Sequence, residues 1–171
     1  MATDHILIFK HLFQLMLVFL ITGCAGEASN EGAGSFPMNA SGGKVALPDG
    51  AEVIVPPGAL QTQKVIGITS LGEGAYSVAS FTPVGSFSRL TPSGQTFAQP
   101  VSIFLPYKYG LVGDASNDVR IFMSRNAGAT FEVLPGIASP HLGKVGGQAT
   151  HFSIVVAGLP QGSQSGAVSA V

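Results

Sequence analysis

The chain has 171 residues, room for one ordinary domain, and its 8 Lys plus Arg against 9 Asp plus Glu give a net charge of −1. Beyond Lys10 the basic residues stand singly, at Lys44, Lys64, Arg89, Lys108, Arg120, Arg125 and Lys144. No cationic stripe exists to neutralise phosphates, so no nucleic acid is expected as a partner. One cysteine, Cys24, rules out an intramolecular disulfide, and the core must hold together by apolar burial.

In chain order, Leu12 to Ile21 (LFQLMLVFLI) is a mostly apolar run of 10 residues that follows Lys10 and His11. It is too short to span a bilayer, which takes about 20 predominantly apolar residues. A short apolar region leading to small residues has the form of a secretory signal instead. Ile21-Thr22-Gly23-Cys24 resembles the lipobox of bacterial lipoproteins, an aliphatic residue and two small ones before a cysteine. The resemblance implies a signal peptide over residues 1–23 and an acylated Cys24 as the first residue of the mature chain. It also implies a bacterial cell-envelope location, with the membrane as partner through the acyl chains on Cys24. Each buried CH₂ of such a chain contributes about 0.8 kcal/mol. Ala25 rather than Asp follows the cysteine, which by analogy with Gram-negative sorting favours the outer membrane.

Residues 24–41 read as the lipidated cysteine and a flexible tether, since AGEASNEGAGSFPMNAS has little to bury. From 42 to 158 short apolar runs alternate with Pro, Gly, Asn and Asp, the punctuation of an all-β domain. The predicted strands are KVAL, AEVIV, KVIGITS, VGSFSRL, VSIFLP, VRIFMS, TFEVL, GKVGGQ and FSIVVA. Val101, Ile103 and Leu105 alternate with Ser102 and Phe104, and Val119, Ile121 and Met123 with Arg120, Phe122 and Ser124. A period of two marks half-buried strands. About nine short strands suit an immunoglobulin-like β-sandwich, with a closed barrel as the alternative. Residues 159–171, rich in Gly, Ser and Gln, read as a disordered tail.

Gly42–Leu60 (GGKVALPDGAEVIVPPGAL) and Leu90–Tyr107 (LTPSGQTFAQPVSIFLPY) resemble the ZU-five domain of zonula-occludens scaffolds, netrin receptors and ankyrins. That family has a glycine-led first hairpin, an IPPGAL-like segment, and a later succession of Pro-Ser-Gly, aromatic, Pro-Val and strand-Leu-Pro. The resemblance covers nearly all of residues 42–158 and implies a binding or scaffold module, with a possible protein partner.

Chemistry-bearing patterns are sparse. The mature chain has His141 and His151 and no free cysteine, so no metal site and no cofactor is expected. The loop GDASND carries Asp114, Asn117 and Asp118, but Arg125 stands where a calcium loop needs its last carboxylate. An Asx-rich turn explains the loop better. Ser41-Gly42-Gly43-Lys44 fits S-x-x-K without its partner motifs, and Gly42-Gly43 and Gly146-Gly147 open no helix. Phe104, Tyr107 and Tyr109 cluster near one loop, where the rings either form a partner-binding patch or pack into the rim.

His151-Phe152-Ser153 is the sharpest candidate. In several eukaryotic ZU-five relatives this tripeptide is a self-cleavage site, and that resemblance implies Ser153 as nucleophile, His151 as base and Phe152 as the residue left with the new carboxylate. Strand alternation would place residues 151 and 153 on one side. The same alternation has a plainer meaning, in which Phe152, Ile154 and Val156 form one apolar face of a last strand and Phe152 is a core residue.

Overall fold

The computed structural model describes residues 32–139 and 142–162. The expected signal peptide, Cys24, the first part of the tether, His141 and most of the tail lie outside these residues.

The Pro48-Asp49-Gly50 turn forms as its sequence demands. Asp49 Oδ1 accepts the Ala51 N–H at 2.9 Å, and the Leu47 carbonyl accepts the Gly50 N–H at 3.0 Å. It joins β2 (Gly43–Ala46) to β3 (Glu52–Val55) in an antiparallel hairpin. Beyond Val55, Pro56-Pro57-Gly58 ends the pairing, and the chain bends to bury Ala59 and Leu60.

The remaining strands are β1 (Ala33–Met38), β4 (Lys64–Gly72), β5 (Phe81–Pro83), β6 (Phe87–Thr91), β7 (Thr96–Pro106), β8 (Arg120–Ser124), β9 (Phe131–Val133), β10 (Gly136–Ser139), β11 (Lys144–His151) and β12 (Ile154–Pro160). A one-turn helix α1 (Tyr109–Val112) and a 3₁₀ segment (Gly113–Asp118) connect β7 to β8. All pairings are antiparallel. The smaller sheet has the order β10-β11-β7-β3-β2, and the larger has β1-β4-β6-β12-β8-β9 with β5 also paired to β12. The domain is all-β and sandwich-like, two sheets with separate edges rather than a closed barrel.

Three strands escape the periodicity: β1, β5 and β10. The first lies inside the expected tether, pairing with β4 from Ala33↔Thr69 to Met38↔Lys64. As an edge strand it buries one large side chain, Met38, and leaves Phe36 exposed, so backbone pairing rather than an apolar face holds it. The expected tail is also trimmed, because β12 continues through Leu159, buried, to Pro160.

The main core lies between the sheets. Val45, Val53, Val101, Ile103 and Leu105 meet Met38, Ile66, Ile68, Leu90, Ile121 and Met123 there. A second, smaller core covers the outer face of the larger sheet. Phe81, Phe87, Phe122, Ile154 and Val156 form it, and Tyr76 and Phe131 pack against them. Phe81 stacks on Phe122 at 3.8 Å between centroids. Phe122, which alternation assigns to the outward face of β8, is therefore buried. Strand β12 runs between the two cores: Val155, Ala157 and Leu159 face one, Ile154 and Val156 the other. Gly158 sits at a close approach, since a Cβ there would stand 2.5 Å from Phe81.

This two-sided burial separates β12 from β7, where Ile103 is buried and Ser102 is half-exposed. Ile103→Asp should destabilise the fold by several kcal/mol and Ser102→Asp by much less, because an unpaired charge is costly only in a core. On β12 both neighbours, Val155→Asp and Val156→Asp, should be as damaging as Ile103→Asp. Urea unfolding of the four variants measures the difference; tolerance of Val156→Asp would refute the second core.

Candidate functional site

His151-Phe152-Ser153 does not lie within one strand. His151 is the last residue of β11 in the smaller sheet, paired with Thr96, and Ile154 is the first of β12 in the larger sheet, paired with Arg89. Phe152 and Ser153 are the two-residue crossover between the sheets. The single apolar face expected for Phe152, Ile154 and Val156 is thus divided. Phe152 is a core residue as expected, but it enters the main core, edge to face with Phe97 at 4.6 Å. Ile154 and Val156 point into the second core. Alternation fails here because the strand direction is reset where the chain leaves one sheet for the other.

The turn after β6 clamps the crossover. Gly94 has φ +73°, a conformation natural to glycine, and its N–H donates to the Phe152 carbonyl at 2.9 Å. The Phe152 N–H donates to the Gln95 carbonyl at 2.9 Å, and the Leu90 N–H to the Ser153 carbonyl at 3.0 Å. The Phe152 carbonyl is the one a Ser153 hydroxyl would attack. An N–H aimed at it is the kind of donor that stabilises an oxyanion. Among the described residues, neither the His151 nor the Ser153 side chain makes a hydrogen bond. The nucleophile–base pair implied by the tripeptide is therefore not assembled in this state.

The same residues line a cleft of about 300 Å³. Its polar wall includes Arg89 from β6, Ser93 from the following turn, Arg125 from the β8–β9 turn, His151 and Ser153, and Tyr76 closes one side. Arg125 is partly engaged, with Nε 2.7 Å from Glu132 Oε2. Ser124, also in the wall, is fully buried, and its Oγ accepts the N–H groups of Asn126 and Gly128 at 3.2 and 2.6 Å. Sequence reasoning reached His151 and Ser153 but not Arg89, Arg125 or Tyr76. These come from three separate segments with no spacing signal, and only sheet pairing brings them together.

The other candidates resolve as structure. Asp114 and Asp118 are exposed on the 3₁₀ segment, and among the described residues no three His, Cys, Asp or Glu side chains converge on a common point. Gly43 lies in β2, and Gly146 and Gly147 lie in β11. Of the aromatic group, Tyr107 is buried in the rim, Phe104 is half-buried and Tyr109 is exposed. The Tyr107 hydroxyl is buried without a hydrogen-bond partner among the described residues. Burial, with Tyr109 adding to it, raises its pKa above the ordinary tyrosine value. No protein-family model matches the chain, and no curated protein matches it either.

Two outcomes are expected. Phe152→Ala should cost about 3–5 kcal/mol in chemical denaturation, as for other buried rings, whereas Ser153→Ala should stay near wild type. For Tyr107 the folded state holds the phenol proton more tightly than the unfolded chain does. Its contribution is therefore complete below the unfolded value of about 10 and is lost as the pH rises through the folded one. Tyr107→Phe should be neutral to slightly stabilising at pH 7 and should reduce the loss of stability above pH about 10, read from thermal unfolding at several pH values.

Proposed function

We propose that this chain is a lipid-anchored binding or scaffold module of the bacterial cell envelope, with a ZU-five-like sandwich and no turnover of an external substrate. The observation that carries the reading is the cleft beside the crossover, with Arg89, Arg125 and His151 in its wall. The described chain begins at Gly32, whose carbonyl accepts the Ser70 N–H near the end of β4. The crossover, the Gly94 turn and the cleft stand where β6, β8 and β11 end and β12 begins. The cleft's guanidinium groups and imidazole suit a carboxylate or phosphate on the partner.

The ZU-five part of the reading rests on how its two segments sit. The Gly42–Leu60 stretch makes the first hairpin and tucks Ala59 and Leu60 into the core. Leu90–Tyr107 forms the crossover clamp and the central strand of the smaller sheet. Outer-membrane placement rests on Ala25 after the lipobox cysteine.

Self-cleavage after Phe152 is the second reading, favoured by the Gly94 N–H on the Phe152 carbonyl. In it the Ser153 hydroxyl adds to that carbonyl, the C–N bond breaks to leave an ester and a free Ser153 amine, and water hydrolyses the ester. The amide is planar and resonance-stabilised, and three backbone hydrogen bonds hold the crossover still, which disfavours the reaction.

Membrane-extracted protein from a bacterial host tests both readings. Labelled palmitate should enter wild type and not Cys24→Ala, and intact mass should show one acylated chain from Cys24 to Val171. Equal labelling of Cys24→Ala would contradict the anchor. Fragments Cys24–Phe152 and Ser153–Val171 in wild type, absent from Ser153→Ala, would replace the first reading with the second.

A further inference from the structure

We propose that the cleft beside the crossover binds a carboxylate, held between the Arg89 guanidinium and the buried Ser124 hydroxyl. The inference rests on the binding-module reading and names the ligand of its cleft. Sheet register brings the two donors together. On the outer face of the larger sheet, Phe87, Val156 and Phe122 belong to the aromatic core. Two residues nearer the crossover, β12 carries Ile154 on that same face. Ile154 stands opposite Arg89 of β6 and, one step on from Val155↔Met123, opposite Ser124 of β8. Arg89 shares the face of Phe87, and Ser124 that of Phe122, since alternate residues of a strand point the same way. The aromatic core thus ends in a row of cation, aliphatic floor and hydroxyl. Two strand spacings set the Arg89 and Ser124 backbones about 10 Å apart, and one small planar group fits between the donors above Ile154.

Both donors are uncommitted. Ser124 is fully buried, and its Oγ accepts the Asn126 and Gly128 N–H groups. Those bonds occupy both lone pairs of the oxygen, so its own proton needs a separate acceptor. Among the described residues it has none. The turn making these bonds is held in place, because a Cβ at Gly128 would run into the Tyr76 ring that closes the cleft. Arg125 is engaged with Glu132 through Nε and Nη2. Arg89 is exposed and makes no ion pair among the described residues. No Asp or Glu lines the cleft. One uncommitted guanidinium balances a single negative charge, and its planar fork matches the two coplanar oxygens of a carboxylate. Each of those oxygens has more than one acceptor site, so one of them also takes the Ser124 proton. At about 300 Å³ the cleft is at the small end of ligand sites, which suits one acid group on a short stem.

The test uses full-length mature protein, ¹⁵N-labelled and held in uncharged maltoside micelles. It is titrated at constant ionic strength with N-acetylalanine, N-acetylalanine amide and inorganic phosphate. N-acetylalanine should move the amide signals of Asn126, Gly128 and Ile154 saturably, and its amide should not. Arg89→Gln should weaken binding about tenfold or more, and Arg89→Lys by less, because it keeps the charge without the fork. Both variants should keep the wild-type spectrum away from the cleft, so that lost binding is not lost folding. Ser124→Ala should weaken binding too; if the turn loosens without its acceptor, the two Arg89 variants decide. An absence of saturable shifts, binding unchanged by Arg89→Gln, or phosphate bound more tightly than the acid overturns the proposal. Intact mass of the same sample reports on the parent reading separately. An uncut, acylated chain that does not bind fails the proposal alone, and a chain cut after Phe152 fails the reading and the proposal with it.

Discussion

The structure depends on one strand having no solvent side. β12 pairs with β5, β6 and β8, and its side chains enter the main core on one face and the aromatic core on the other. A strand buried on both faces must be apolar at nearly every position, which is why Ile154 to Ala157 is unbroken by a polar residue. It must also be reached from the other sheet, because β11 belongs to the smaller one. The Phe152–Ser153 crossover performs that transfer, and the bonds from Gly94, to Gln95 and from Leu90 fix where it occurs. Phe152 contributes the buried ring that couples the crossover to the packing of β7.

That position bears on chemistry. A crossover with the Phe152 N–H and both its carbonyls bonded has little freedom to twist, and twisting is what an acyl shift onto a serine hydroxyl requires. The same rigidity suits a binding surface, because Arg89, Arg125 and His151 are carried by strand ends and a tight turn rather than by a long loop. The exposed side chains of Tyr109 and Leu111 stand on α1, and cationic and hydroxyl groups surround the crossover.

Much of this was legible in the sequence, and the limits are physical. Strands β7 and β8 announced themselves through Val101-Ile103-Leu105 and Ile121-Met123, since period-two alternation follows from a face on the core. The Pro48-Asp49-Gly50 turn was readable because its side-chain hydrogen bond is local. Edge strand β1 was hidden because AGSFPM buries little, and its partner Lys64–Thr69 is fixed only by tertiary pairing. Phe122 was assigned outward because alternation reports two faces and not whether the second is covered. The loop carrying Tyr76 and Val78 covers it, and its Gly- and Ser-rich sequence gives no sign of doing so. His151 and Ser153 were visible as a tripeptide, yet the sheet change between them was not, because apolar residues continue through it without interruption.

The central claim is that the crossover joins both cores into one cooperative unit with β12 at its centre. Native-state hydrogen exchange tests it most directly. The amides of Val155, Val156 and Ala157 should exchange only through global unfolding, with the same free energy as Ile103 and Leu105 in the other sheet. The edge amides of β2 and β9 should open at lower free energy. Exchange of β12 through a local opening well below that of β7 would contradict the account.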